Sequence, residues 1–253
     1  MDRKALKLVD LSQVGRAAGN TGAVAGSGFP HGLGRAGVHE VCAAAYGDGP
    51  AAAGFALAAG AQANTSGAVA WVHMERDARG DGQLSARGLA ALGARPGRML
   101  HIMARKPMEA LWAVEEAITS SSVACVVAQC SDLDFTASRR LTLASAARGT
   151  PVILLLPHTR SGASAADGRW RVSVQPSAPN RLHARGLGHP RWEAVLERSR
   201  TAPEAIGRRY ALEFDDETFS LHMAGGLAPR QAAPRAPTAA TAGAGETGLR
   251  KAG

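Results

Sequence analysis

With 253 residues the chain is long enough to bury a full core in one or two domains. Hydrophobic residues make up 45% and charged residues 20%, which excludes a wholly disordered polymer, and no apolar run of about 18 residues marks a transmembrane helix. The net charge is +8, and only Lys4, Lys7, Lys106 and Lys251 are lysines; this arginine excess suits nucleic acid or acidic protein surfaces, although a GC-rich genome also produces it.

Residues 1–28 mix polar, glycine and small side chains and read as a loosely ordered lead-in. The charged start Met1–Lys7 is followed by no secretory core, so a cytoplasmic location is expected. Gly37–Val41 reads as a short strand, followed by the turn Tyr46–Pro50 and an alanine-rich helix over residues 51–63. Ala68–Val72 and Met99–Met103 read as buried strands. Pro107 suits a first helical position, and Met108, Leu111, Trp112, Glu115 and Ile118 are expected to share the buried face of that helix. Val123–Ala128 is an unbroken apolar strand, Arg139–Arg148 a helix stopped by Gly149, and Val152–Leu156 a further strand.

After residue 168 the period changes to two: Trp170, Val172 and Val174 alternate with polar residues, as do Trp192, Ala194 and Leu196. Tyr210–Phe214 and Phe219–Met223 flank the acidic turn Asp215–Thr218 as a hairpin. Residues 29–227 therefore predict a single α/β domain, with a mainly parallel central sheet flanked by helices and a C-terminal antiparallel β extension. Residues 228–253 are mostly Ala, Pro, Thr, Gly and Arg, too poor in large apolar groups to repay ordering, and predict a disordered tail.

The segment Gly47–Phe55 lies between a strand and a helix, where a phosphate-binding loop would lie. Such a loop needs glycines for close approach, a lysine for the terminal phosphates and a hydroxyl for magnesium. Gly47, Asp48, Gly49 and Gly54 supply a degenerate version: no lysine occurs between Lys7 and Lys106, and Asp48 repels phosphate. The strand that should end in a magnesium aspartate ends in Ala128–Gln129 instead. Glu75 is the one weak catalytic candidate, as a water-positioning carboxylate. No HExxH or His/Cys ligand spacing occurs, so no metal and no cofactor are expected. Cys42, Cys125 and Cys130 read as reduced packing residues. Ten arginines between His158 and Tyr210, among them Arg160, Arg169 and Arg171, are candidate DNA contacts against a background of merely solvated charge.

Phe29–Gly34 followed by Gly37–Val41 resembles the entry to a RecA-type core. Four stretches in order (Gly37–Val41, Arg105–Ala117, Leu133–Leu141 and Phe214–Thr218) resemble the ImuA family of damage-inducible mutagenesis proteins, over roughly residues 28–225. The resemblance implies a RecA-like fold and a non-catalytic, nucleoid-associated role in SOS-induced error-prone translesion synthesis. The implied partners are ImuB, an inactive Y-family polymerase homologue, a C-family error-prone DNA polymerase indirectly, and RecA or DNA. It places Glu75 at the position of RecA's catalytic glutamate, and Arg160 in a loop matching a DNA-binding loop of RecA. The alternatives are an atypical DNA-stimulated ATPase and a cell-division inhibitor of the SulA kind.

Overall fold

The computed structural model describes residues 31–62, 67–77, 82–130, 133–180, 183, 186–224 and 230–231. The strands are β1 (Val38–Ala43), β2 (Ala68–Met74), β3 (Met99–Ala104), β4 (Val123–Gln129), β5 (Val152–Leu156), β6 (Gly168–Gln175), β7 (Arg191–Ser199), β8 (Arg208–Asp215), β9 (Ser220–Met223) and β10 (Arg230–Gln231). Among the described residues, the helices of six residues or more are α1 (Gly49–Ala61), α2 (Ala86–Ala91), α3 (Pro107–Thr119) and α4 (Phe135–Arg148).

One sheet runs in the order β10-β8-β7-β6-β1-β5-β4-β2-β3, with β9 also paired to β8. The six strands from β3 to β6 are mutually parallel, and β6 to β9 add an antiparallel meander. β1 and β5 are buried along their whole length, because helices cover both faces; their near-continuous apolar composition follows from that double burial. On one face α1 and α2 pack with Phe55, Trp71, Ile153 and Trp192, and on the other α3 and α4 pack with Val114, Ile118, Leu141 and Leu154.

α1 lies close to the sheet because its contact residues are small: a Cβ at Gly60 would stand 3.0 Å from Val127 Cγ2. It begins at Gly49, two residues before the expected start, since Pro50 serves the first turn. α4 likewise begins at Phe135 rather than Arg139, because the Asp134 carboxylate accepts a 2.6 Å hydrogen bond from Ala137 N and caps the helix.

α3 departs from expectation on its buried face. Ala110, Ala113, Val114, Ala117 and Ile118 turn inward, while Met108 and Trp112 are 69% and 56% exposed. Three alanines let the helix approach β2–β4 closely, and a Trp on that face would hold it off. The larger apolar residues therefore occupy the neighbouring stripe, with Glu115, which pairs with Arg140 of α4 at 2.8 Å.

In the meander Trp170, Tyr210, Leu212 and Phe214 are fully buried, and the Tyr210 hydroxyl shares a 2.7 Å hydrogen bond with His31 Nε2. The predicted hairpin is present as β8 and β9. Arg230 and Gln231, inside the stretch read as a tail, pair antiparallel with Arg209 and Arg208. The lead-in, residues 1–28, and the rest of that tail lie outside the described residues. No helix among the described residues is long and apolar enough to cross a membrane.

Candidate functional site

A cleft of about 950 Å³ opens at the carboxyl ends of the parallel strands, on the α1 face. In an open α/β sheet this is the place where ligands bind, because loops diverge there and helix N-termini point inward. Its walls combine the small residues of α1 and α2 with Trp71, His73, His101, Met103 and His158, and no Lys or Arg lines it among the described residues. Tyr46, 88% exposed, stands edge-on to His158 with ring centroids 6.0 Å apart. Burial lowers the pKa of His73, helped by neighbouring His101, and burial alone lowers that of His101; both favour the neutral imidazole. Cys130 also lines the cleft, and burial pushes its thiol up to about 12, which disfavours the thiolate; Cys42 and Cys125 are likewise buried and unpaired.

The degenerate nucleotide loop is a tight turn, Tyr46–Asp48, running straight into α1. Asp48 sits at the helix N-cap and accepts from Ala45 N at 3.1 Å and Val174 N at 3.4 Å. A carboxylate already occupies the positive end of the helix and opposes an incoming phosphate. Gly47 and Gly49 do not adopt left-handed backbone, and a Cβ on either would meet nothing within 4 Å. Gly54 faces the core instead, where a Cβ would stand 3.7 Å from the Trp192 ring, and Trp192 Nε1 donates to Ala51 O at 2.9 Å.

Neither strand-end candidate taken from the sequence lines the cleft. Glu75 does not line the cleft; it lies 3.5 Å from Arg105 Nε, and Asp77 is the carboxylate that lines it. Ala128 faces the α3 side, in the second core, so the residue of β4 that reaches the cleft is Gln129. Side chains alternate across a strand, so Ala128 and Gln129 face opposite sides of the sheet. A neutral amide still cannot replace a magnesium carboxylate. Tyr46, His73, His101 and His158 were missed because they share no motif spacing; their position at strand ends was the available signal.

The three arginines offered as DNA contacts are turned inward. Glu40, fully buried on β1, receives Arg169 Nε at 2.5 Å and Arg160 Nη2 at 3.2 Å. Arg160 also donates to Leu133 O, and Arg169 to Gly162 O. Arg171 grips Glu197 with two bonds of 2.8 and 2.9 Å and donates to Ala43 O, His158 O and Arg160 O. Across β7 and β8, Arg191 pairs with Glu213 and Arg209 with Glu193, each at 2.6 Å. The period-two alternation of sequence places opposite charges as cross-strand neighbours on the sheet face opposite α1.

Beside Glu40 but on the other face, His39 is 2% exposed, and burial depresses its pKa from 6.5 to about 4, against opposing contributions from Asp167 and the Ala36 carbonyl. Between those two values the unfolded chain binds a proton that the native protein does not, so stability falls as pH drops through the window. The full difference corresponds to roughly 3 kcal/mol. Denaturation midpoints measured from about pH 7 down to about pH 4 should show this acid limb, and His39→Gln should flatten it. Equal slopes in both proteins would assign the limb to another group.

No family model matches the chain. Two curated relatives, each named Protein ImuA and each from a strain of Caulobacter vibrioides, are 37% identical over 194 residues, covering 71% of this chain and 75% of theirs. That identity spans most of both proteins, and the chain belongs to the ImuA family.

Proposed function

We propose that this protein is a non-catalytic accessory factor of SOS-induced error-prone translesion DNA synthesis, built on a RecA-like fold and acting by binding ImuB. The observation that carries the reading is the cleft itself: where a nucleotide would lie, the described walls hold no Lys or Arg but do hold the carboxylate of Asp77, and Asp48 guards the helix end. Polyphosphate binding without a cation forfeits several kcal/mol of charge stabilisation. Family membership and the sheet order around β1 support the RecA-like assignment. Met108 and Trp112 on α3, with Phe135 and Leu143 on α4, are exposed apolar side chains of the kind that anchor protein partners. The C-family polymerase is then reached through ImuB, and RecA is a further partner. The inward-turned arginines argue for DNA as a minor contact.

The test combines turnover with capture. ATP hydrolysis by the purified protein should equal the buffer blank, with and without single-stranded DNA, and Glu75→Gln should change nothing. ImuB should co-purify from damaged cells, and Trp112→Glu should reduce its recovery while leaving the melting temperature within about 2 °C of wild type, as expected for an exposed position. Hydrolysis above background that disappears in Glu75→Gln would restore the ATPase, and recovery of the division GTPase in place of ImuB would favour the SulA-like alternative.

A further inference from the structure

We propose that the tip of the β8–β9 hairpin binds a divalent transition-metal ion through His189, Asp215 and Asp216, with Zn²⁺ as the expected occupant. One ligand atom from each of these residues lies within 4.8 Å of the other two. His189 Nε2 is 3.3 Å from Asp216 Oδ1. Two ligands that share a tetrahedral ion at about 2.0–2.2 Å stand about 3.4 Å apart, so this pair already has the separation of one coordination edge.

The surrounding residues complete the arrangement. Arg191 holds Glu213 through Oε2, with contacts of 2.7 and 2.6 Å, and leaves Oε1 facing His189 Nδ1 at 3.8 Å. A carboxylate behind a histidine keeps the proton on the inner nitrogen and aims the lone pair of the other nitrogen at a metal. His189 Nδ1 is shut off from solvent and has no hydrogen-bond partner, which is costly for a polar atom unless the ring is drawn toward Glu213 when an ion binds. Asp215 is oriented by its own turn: Oδ1 accepts from Glu217 N and Thr218 N, leaving Oδ2 to ligate.

His189, Asp215, Glu213, Glu217 and His222 line an open hollow of about 70 Å³, and Asp216 stands beside it through its contact with His189. That volume holds an ion and a water, whose share of liquid volume is about 30 Å³. His222, opposite Glu213 across the β8–β9 ladder, lines the same hollow. The mixture of imidazole and carboxylate selects zinc-like ions over calcium and magnesium, which favour all-oxygen sites. Sequence spacing conceals the set because His189 precedes β7 while Asp215 ends β8 and Asp216 follows it. The ion would clip the loop before β7 to the hairpin turn.

The experiment uses the full chain, freed of any polyhistidine tag and of metal, titrated calorimetrically with Zn²⁺, Mn²⁺ and Mg²⁺. One Zn²⁺ per chain is expected, with Mg²⁺ far weaker. His189→Ala and Asp216→Asn should each weaken Zn²⁺ binding by about tenfold or more. Asp216 is 62% exposed, so its substitution leaves folding intact, and circular dichroism verifies the histidine variant. Absence of saturable Zn²⁺ uptake overturns the site, as does wild-type affinity in Asp216→Asn.

Discussion

Replacing Glu40 with alanine is expected to destabilise the protein by about 3–5 kcal/mol, a large part of the 5–15 kcal/mol that a domain of this size has in total. The reason is the arrangement on the α3–α4 side of β1: one buried carboxylate serves two guanidiniums, Arg160 and Arg169, whose side chains are only 15% and 9% exposed. Without it, two positive charges are left facing each other in a region that excludes water. Glu40→Gln keeps the shape and the acceptor but not the charge, and should recover only a minor part of the loss. Arg171→Ala, whose partner Glu197 is 35% exposed and can rehydrate, should cost far less. Urea denaturation of the three variants checks the order. Equal losses for Glu40→Ala and Arg171→Ala would show that the triad is no more than a surface ion pair.

A chain that stops at Arg209 is expected not to fold, whereas one that stops at Ala228 should keep its stability within about 1 kcal/mol. The first truncation removes Tyr210, Leu212, Phe214 and Leu221, all at most 4% exposed and all part of the core shared with α1. Each contributes about 1.5–3 kcal/mol by burial, so together they rival the whole stability of the domain. The second truncation removes only the two-residue pairing of Arg230 and Gln231 with β8, besides residues outside the described structure. ImuB capture should follow folding: retained in the longer chain and absent in the shorter. Circular dichroism and co-purification read the two effects separately, and loss of ImuB from a well-folded chain ending at Ala228 would move the partner site into the tail.

Much of this molecule is legible before it folds. The unbroken apolar runs at Val123 and Val152, the Pro107 helix start and the Gly149 stop all correspond to elements, because parallel strands covered on both faces and helix ends impose strong local patterns. The loss of a phosphate-gripping lysine is also a property of composition alone. What the sequence leaves open is direction. Whether Trp112 or Ala113 faces the core, whether Ala128 or Gln129 reaches the cleft, and whether Arg160 meets solvent or Glu40 depend on a rotation of about 100° along a helix or a phase of one residue along a strand.

Local sequence therefore determined the α/β alternation, the change of period after residue 168 and the family. The tertiary structure alone decided the neighbours: that Glu40 lies between Arg160 and Arg169, that Trp192 bonds to Ala51 of α1, and that His189 meets Asp215 and Asp216. Each of these pairings joins residues from different elements. Their partners are chosen by the order in which strands enter the sheet, which no local window of sequence contains.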